Sequence, residues 1–570
     1  MKFNKVKFLL ISVLLLSVIL RLYRIDKNPV SLFGDEIDVG YQAYSILKTG
    51  RDYSGNFLPL HFRSLAEWRT PFYIYSAVPT VGIFGISPLG VRLPAAIFGI
   101  LSIWIIFVLA KKITNNETIA LASASFLAIS PWHLQYSRAG FEVTEMLFFY
   151  MTGIYFFLRG LKTGKWFFLA AAFLGLTPWI YSTAKLFIPL TIIALLLIWW
   201  KQLKEVSKGY LLGSVLIFAV ITGTFAFNTL FGGGTQRIEG ISIFNDPTVV
   251  PQIGFDRLAD IKMRNKDAVD TKQATFIDKF FHNQPFSFLN IFFENLFQVY
   301  STEFLFTKGD INPRHSIGTG EFYKVQAPFL LLGLIFLLTR VTDRKIKIFL
   351  VFWLLGGSVP SAFTKDGGGH ATRLILILPP LILLISLGVY HTYQYLSKNL
   401  RSLFAVFFSA LLFSNFIFYQ HRFWIHYPWE SEKWWHAGFK DAIRASVSEG
   451  KNYDKVIISQ ADEPALIFFL GWSQYPPKSF QEKYPLITEN TTGFGSISKL
   501  DKYYFPPVGQ GISMYELGSV LPLKTLYLAT FKEINLDLIR EPERIPKDIN
   551  LIKSIQYPSG NPAFYLFAKR

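Results

Sequence analysis

Two acidic stretches hold the residues best suited to chemistry. The first, Gly34-Asp35-Glu36, follows Pro29 and opens a run in which Ile37, Tyr41, Tyr44 and Leu47 recur at helical spacing. Two carboxylates therefore stand at a helix N-terminus, where the plain reading is capping of backbone N–H groups and of the helix dipole. The second runs from Ser130-Pro131-Trp132-His133 through Arg138 to Glu142 and Glu145. Arg138 and Glu142 are four residues apart, the spacing of an ion pair on one helical face. Glu145 falls about one turn into an apolar run, where ionisable groups are costly and usually functional or paired. A positioned carboxylate can take the proton of an attacking hydroxyl, and fixed Arg or Lys groups stabilise a departing phosphate. Arg69, Arg92, Lys185 and Arg373 supply such cations beside apolar runs, although each also reads as a headgroup anchor. Clustered near a carboxylate pair, they would make a phosphate site.

Other signals are weaker. Gly232–Gly234 and Gly367–Gly369 lack the strand-to-helix context of a nucleotide fingerprint and read as flexible turns. His370 lacks visible co-ligands for a metal, and His133 reads as an interfacial residue beside Trp132. The chain has no Cys, which excludes a disulfide framework, a thiol nucleophile and a thiolate metal site.

The elements that must carry these residues follow from hydropathy. Of 570 residues, 51% are hydrophobic and 17% aromatic, too apolar for a soluble enzyme. A retained first span is expected over Phe8–Leu20, because basic residues precede it and no small-residue cleavage site follows. Ten further apolar runs follow: Val91–Ala110, Thr118–Ile129, Val143–Leu158, Trp166–Ile180, Leu186–Trp200, Tyr210–Thr229, Ala327–Leu338, Ile348–Pro360, Leu374–Tyr390 and Ser402–Tyr419. Every second loop is basic, as at Lys111-Lys112, Lys201/Lys204/Lys208 and Arg340/Arg344/Lys345. That alternation explains the net charge of +18 as topology rather than nucleic-acid binding, with a cytoplasmic N-terminus and an external C-terminus. Residues 1–420 are thus expected to form a transmembrane domain with external loops at about 21–90, 230–325 and 364–372. Residues 421–570 alternate strand-like runs, such as 455–459 and 525–529, with helix-like ones such as 432–448, and read as an external α/β domain.

Four short pieces in order carry a family resemblance: Gly34-Asp35-Glu36; Trp68-Arg69-Thr70-Pro71 leading to Val91-Arg92-Leu93-Pro94; Ser130 through Arg138 to Glu142; and His370 to Arg373 leading to Pro379-Pro380. The sequence resembles the bacterial branch of the dolichyl-phosphate-mannose protein mannosyltransferase superfamily, which includes the aminoarabinose transferases and has the GT-C fold. The resemblance implies an inner-membrane enzyme that transfers a sugar, with inversion, from a polyprenyl-phosphate donor to a protein, lipid or glycan acceptor on the non-cytoplasmic face. Asp35 would be its general base, with Glu36 and Glu142 orienting that base or the acceptor. Arg69 stands where relatives carry a Lys near the lipid phosphate, and Arg138, Arg373 and Arg92 complete the candidate phosphate contacts. A monophosphate carrier does not strictly demand a divalent metal, so metal-independent chemistry without a cofactor is expected. The rival readings are a transporter or flippase of lipid-linked glycans, which predicts mid-span ionisable residues and matched repeats, and a membrane-anchored surface protein, for which one span would suffice.

Overall fold

A computed structural model describes residues 5–64, 68–231, 240–483 and 497–569. Gly232–Gly234 and Glu67 lie outside the described residues. Each expected span coincides with a helix to within a few residues, from Lys5–Leu22 to Lys398–His421. Among the described residues, six helices are long and apolar enough to cross a membrane by length and composition: Pro88–Thr114, Ala184–Glu205, Lys208–Thr229, Arg344–Ala362, Ala371–Tyr395 and Lys398–Glu430. Phe72–Phe84, Glu117–Ile129 and Trp166–Trp179 are shorter apolar helices. The chain is a polytopic integral membrane protein that also carries a sheet.

The chain divides into two compact units, and the division differs from a boundary at 420/421. One unit comprises Met1–Leu10, Trp104–Trp132 and Phe149–Asn415; the other comprises Ile11–Ile103, His133–Phe148 and Phe416–Arg570. Most of the apolar helices lie in the first. There the Ala327–Arg340 and Leu378–Tyr395 helices touch backbone to backbone: a Cβ at Gly333 would lie 1.9 Å from the Leu384 carbonyl oxygen, and one at Gly388 2.0 Å from that of Phe329. Small residues permit this approach, the usual way helices pack where lipid removes any hydrophobic drive between them. The Arg344–Ala362 helix starts at Asp343, whose carboxylate accepts from the Lys345 and Ile346 N–H groups.

Among the described residues the second unit holds two small sheets. Strands β1 (Phe62–Arg63) and β2 (Trp68–Arg69) form an antiparallel pair. The other sheet uses β3 (Lys455–Ile458), β4 (Lys499–Leu500), β5 (Tyr503–Tyr504), β6 (Thr525–Thr530), β7 (Ile549–Gln556) and β8 (Pro562–Lys569), in the order β4-β5-β3-β6-β8-β7. β3 runs parallel to β5 and β6, and the remaining pairs are antiparallel. Along β6, Leu526 and Leu528 enter one core while Tyr527 and Ala529 enter another, so a central strand alternates between two dry faces. The first of these cores continues through Phe439, Phe468 and Phe469 to Ile37, Tyr41, Tyr73 and Val91. The sheet therefore shares one hydrophobic core with the helix that carries Asp35.

That core revises the expected amphipathic helix. Gly34–Thr49 is helical and ends at Gly50, whose φ of 67° is left-handed and whose N–H donates to the Ile46 carbonyl. Ile37 and Tyr41 are buried as expected, but so are Asp38, Gln42 and Ser45, while Leu47 is exposed. The helix is enclosed because Ala465–Trp472 packs on it as well as Phe72–Phe84. The expected helical stretch 432–448 is realised as Phe439–Glu449, preceded by irregular turns.

Candidate active site

The Gly34–Thr49 helix begins without a side-chain cap from its own N-cap residue, Phe33. Instead the Gly34 N–H donates to Nδ1 of His436 at 3.2 Å. Asp35 follows, its side chain 44% exposed, and Arg69 reaches it from β2 at 2.6 Å with a side chain only 7% exposed. The same guanidinium lies 3.4 Å from Asp38 and 3.7 Å from Glu142, and its Nε donates to the Ser64 hydroxyl at 3.0 Å. A half-exposed carboxylate is thus held by a buried cation that two further acids surround.

Asp38 is one turn below Asp35 and is fully buried. Its carboxylate accepts from Ser64 Oγ at 2.8 Å and from the Tyr53 hydroxyl at 3.2 Å. Burial pushes its pKa up to about 6, against the pull of Arg69 and Ser64. Gln42, another turn on, donates to the Arg63 carbonyl and fixes the hairpin to the helix. Asp38, Ser64 and Tyr53 were not among the sequence candidates. The signal that could have found Asp38 was its place three residues after Asp35, on the same side of a helix.

Glu36 and Arg92 come together elsewhere. Both are fully buried, joined by bonds of 2.7 and 2.8 Å in a two-pronged pair. Arg92 also donates to the carbonyls of Ile25, Pro29 and Ser31, and the Gly140 N–H donates to Glu36 Oε1 at 2.6 Å. This pair ties the chain before the Asp35 helix to residue 140, which is a positioning duty and leaves neither group facing solvent. Arg138 likewise donates to the carbonyls of Leu20, Tyr23, Arg24 and Asn28 and lies over the rings of Phe423 and Trp424. It does not pair with Glu142, because residues 138–142 form turns rather than one helical face. His133, expected at an interface, is fully buried and accepts from Arg21 Nη2 at 2.7 Å. Glu145 is buried one turn into the Val143–Gly160 helix; Ser76 donates to one oxygen at 2.8 Å, and the other has no partner among the described residues.

Arg373 belongs to the other unit. Its Nη1 donates to Thr364 Oγ1 at 2.7 Å and to the Lys365 carbonyl at 2.9 Å. It lines a cavity of about 520 Å³ with Lys185, Ser182, Thr364, Phe244 and Phe363, an apolar chamber holding two cations and several hydroxyls. Asp310, in the same unit, is a buried carboxylate that accepts from the Ala371 and Asn312 N–H groups; burial pushes its pKa up to about 6. His370 lies 3.9 Å from it. Among the described residues no group of three or more His, Cys, Asp or Glu is arranged to hold a metal ion.

Residues 69–225 match the family described as dolichyl-phosphate-mannose-protein mannosyltransferase. No curated protein matches the chain in sequence. Among solved structures, ArnT from Cupriavidus metallidurans bound to undecaprenyl phosphate superposes with a TM-score of 0.52 at 10% identity, over 99% of this chain and 98% of that one. Its apo form gives 0.52 at 12% identity over 98% and 97%. The Archaeoglobus fulgidus oligosaccharyltransferase tethered to an acceptor peptide gives 0.50 at 13% identity, over 83% of this chain and 63% of that one. The chain therefore has the GT-C fold along nearly its whole length and is similar, through residues 69–225, to the dolichyl-phosphate-mannose-protein mannosyltransferase family.

Proposed function

We propose that this protein is a membrane glycosyltransferase that moves a sugar from a polyprenyl-phosphate donor to an acceptor hydroxyl, with Asp35 as general base. The observation that carries this reading is the half-exposed Asp35 carboxylate held at 2.6 Å by the buried Arg69 at the start of an enclosed helix. Such a carboxylate is charge-paired, oriented and reachable, which is what removal of a hydroxyl proton during bond formation requires. The acceptor oxygen attacks the anomeric carbon, the bond from that carbon to the phosphate oxygen breaks, the proton passes to Asp35, and the lipid phosphate leaves with the electron pair. Attack opposite the leaving group inverts the anomeric centre.

Arg69 orients Asp35 and offers its positive charge to the departing phosphate, while Glu142 orients the acceptor. The Lys185–Arg373 cavity suits an anionic headgroup with an apolar tail, since it sets two cations and several hydroxyls beside Phe244, Phe363, Leu186, Ile241 and Pro360. Glu36, Arg92 and Arg138 act by holding the backbone around the Asp35 helix. The alternation of basic loops supports a cytoplasmic N-terminus, which puts Asp35 and the C-terminal segment on the non-cytoplasmic face. The acceptor, whether protein, lipid or glycan, is selected by the outer loops.

The test is transfer by the purified protein in lipid with a panel of polyprenyl-phosphate sugars. Asp35→Asn should lower kcat about 100-fold or more with an unchanged melting profile; full activity of that variant removes Asp35 as base.

A further inference from the structure

The loop between the Lys208–Phe231 and Ala327–Arg340 helices bears an apolar surface that sugar transfer does not use. In the Gln284–Gln298 helix, Phe286, Leu289, Phe293 and Phe297 follow one another at steps of three and four, so they share one face, and all are exposed. The preceding Phe276–Phe281 helix adds Phe280 and Phe281, whose rings lie 6.0 and 6.1 Å from that of Phe286. Phe276, next to Phe280, is 81% exposed. Facing water, this aromatic array would be a contiguous apolar patch of the kind that marks an interaction site.

What covers it follows from its depth. On the opposite side of the Gln284–Gln298 helix, Asn295 donates to the carbonyls of Ala362 and Thr364 at 3.1 and 3.0 Å and accepts from the Gly368 N–H at 3.2 Å. Tyr300, just past the helix, donates to the Leu354 carbonyl at 2.7 Å. Leu354 lies eight residues before Ala362, the last residue of the membrane-crossing Arg344–Ala362 helix, and eight residues of helix rise about 12 Å. The aromatic helix is therefore bonded to the end of a span and, through Tyr300, reaches below it. Charged groups gather on the neighbouring Val249–Arg264 helix, which carries Asp256, Asp260, Lys262 and Arg264 and whose Arg257 donates to the His282 carbonyl at 2.8 Å. An exposed aromatic face beside a helix of mixed charge, at the level of a span end, is the setting of a helix lying in the membrane interface.

We propose that residues 276–298 form an interfacial anchor whose aromatic face enters the headgroup and upper acyl region of the bilayer. The anchor also steadies the cavity wall. Phe244, which lines the Lys185–Arg373 cavity, contacts Phe288 of the anchor helix at 5.2 Å, and Phe292 packs on Phe363 of the same cavity at 4.7 Å. Seated in lipid, the anchor holds that wall level with the bilayer, so a lipid-borne anion enters sideways. Only this last consequence rests on the proposed carrier reading.

Because the chain has no Cys, single labels report the anchor directly. Full-length Phe293→Cys, Phe280→Cys and the water-exposed control Lys272→Cys, each carrying an environment-sensitive fluorophore, are placed in phosphatidylcholine/phosphatidylglycerol nanodiscs with shallow spin-labelled lipid. Quenching by the lipid label at Phe293 and Phe280 should exceed that at Lys272 by about threefold or more, with protection from aqueous iodide. Iodide quenching equal to that of Lys272 overturns the anchor, and so does protection from both quenchers, which would mean a second copy or a protein partner covers the face. In vesicles, Phe280→Asp/Phe293→Asp should raise KM for a polyprenyl-phosphate sugar about tenfold while kcat stays within about twofold. An unchanged KM overturns the role in carrier entry. Absence of transfer by the parent protein would defeat the enzyme reading, while the quenching result would still decide the anchor.

Discussion

Arg69 reaches three carboxylates, and their differing exposure separates their duties. Asp35 is open to solvent, Glu142 is nearly covered, and Asp38 is sealed beneath with Ser64 and Tyr53. Asp38 carries a pH dependence. Its folded pKa of about 6 lies above the ordinary 3.8, so its contribution favours folding below about pH 4 and is lost as pH rises through 6. A shift of that size corresponds to something on the order of 3 kcal/mol. Asp38→Asn cannot ionise, so melting curves in detergent should show the variant gaining on the parent between pH 4 and 7; parallel pH profiles would refute the raised pKa. Glu36 and Arg92 make a different case, because each is fully buried and the other is its charge partner. Glu36→Ala should destabilise by about 3–5 kcal/mol by stranding the guanidinium. Glu36→Gln with Arg92→Met should recover part of the melting temperature. A single Glu36→Ala that melts like the parent would show that the pair has no structural duty.

The Gly34–Thr49 helix is the element on which the site depends. Its N-terminus is set by His436 and its buried flank by Gly471, where a Cβ would lie 2.4 Å from Ile37 Cγ1. Gly471→Ala must push the two helices apart or rotate Ile37, at a cost of about 1–3 kcal/mol. Because Ile37 is two residues from Asp35, kcat should fall along with the melting temperature. Adding Ile37→Ala removes the colliding branch and should restore kcat; failure of the double variant to recover would mean that the contact does not set Asp35. The hairpin of β1 and β2 is the second positioning element. It is only two residues per strand and depends on Gln42 and Asp38 of the same helix for its placement, which explains why so short a structure can hold a guanidinium.

At the scale of the molecule, the C-terminal segment is part of the site-bearing unit. Phe439, Phe468, Phe564 and Leu566 share a core with Ile37, Tyr41 and Tyr73, so residues after 420 act as a wall of the Asp35 helix. A chain ending at residue 420 should insert its spans yet lose transfer activity and expose the residue 34–49 helix to protease. Full activity in that truncated chain would show that the segment is a separable appendage.

Much of this architecture was legible as a list. Apolar runs bounded by charge marked the helices, because a bilayer imposes length and composition on each crossing independently of its neighbours. Strand 525–530 was legible for a related reason, since a central strand buried on both faces must be apolar almost throughout, while 455–458 alternates half-buried and buried residues. Asp35, Arg69 and Glu142 were legible from residue type and position, and the tertiary structure joins them around one guanidinium. The assignment of duties among charged residues was not legible. Glu36 and Arg92 look as reactive in one dimension as Asp35 and Arg69, and Asp38 looks like one more polar residue on a helix. Local sequence determines which segments enter lipid and which residues can ionise. Only contacts between segments tens to hundreds of residues apart decide which ionisable groups are sealed as pairs, which are clamped to carbonyls, and which one is left exposed. Those contacts fix burial, and burial fixes whether a charge supports the fold or stays available for chemistry.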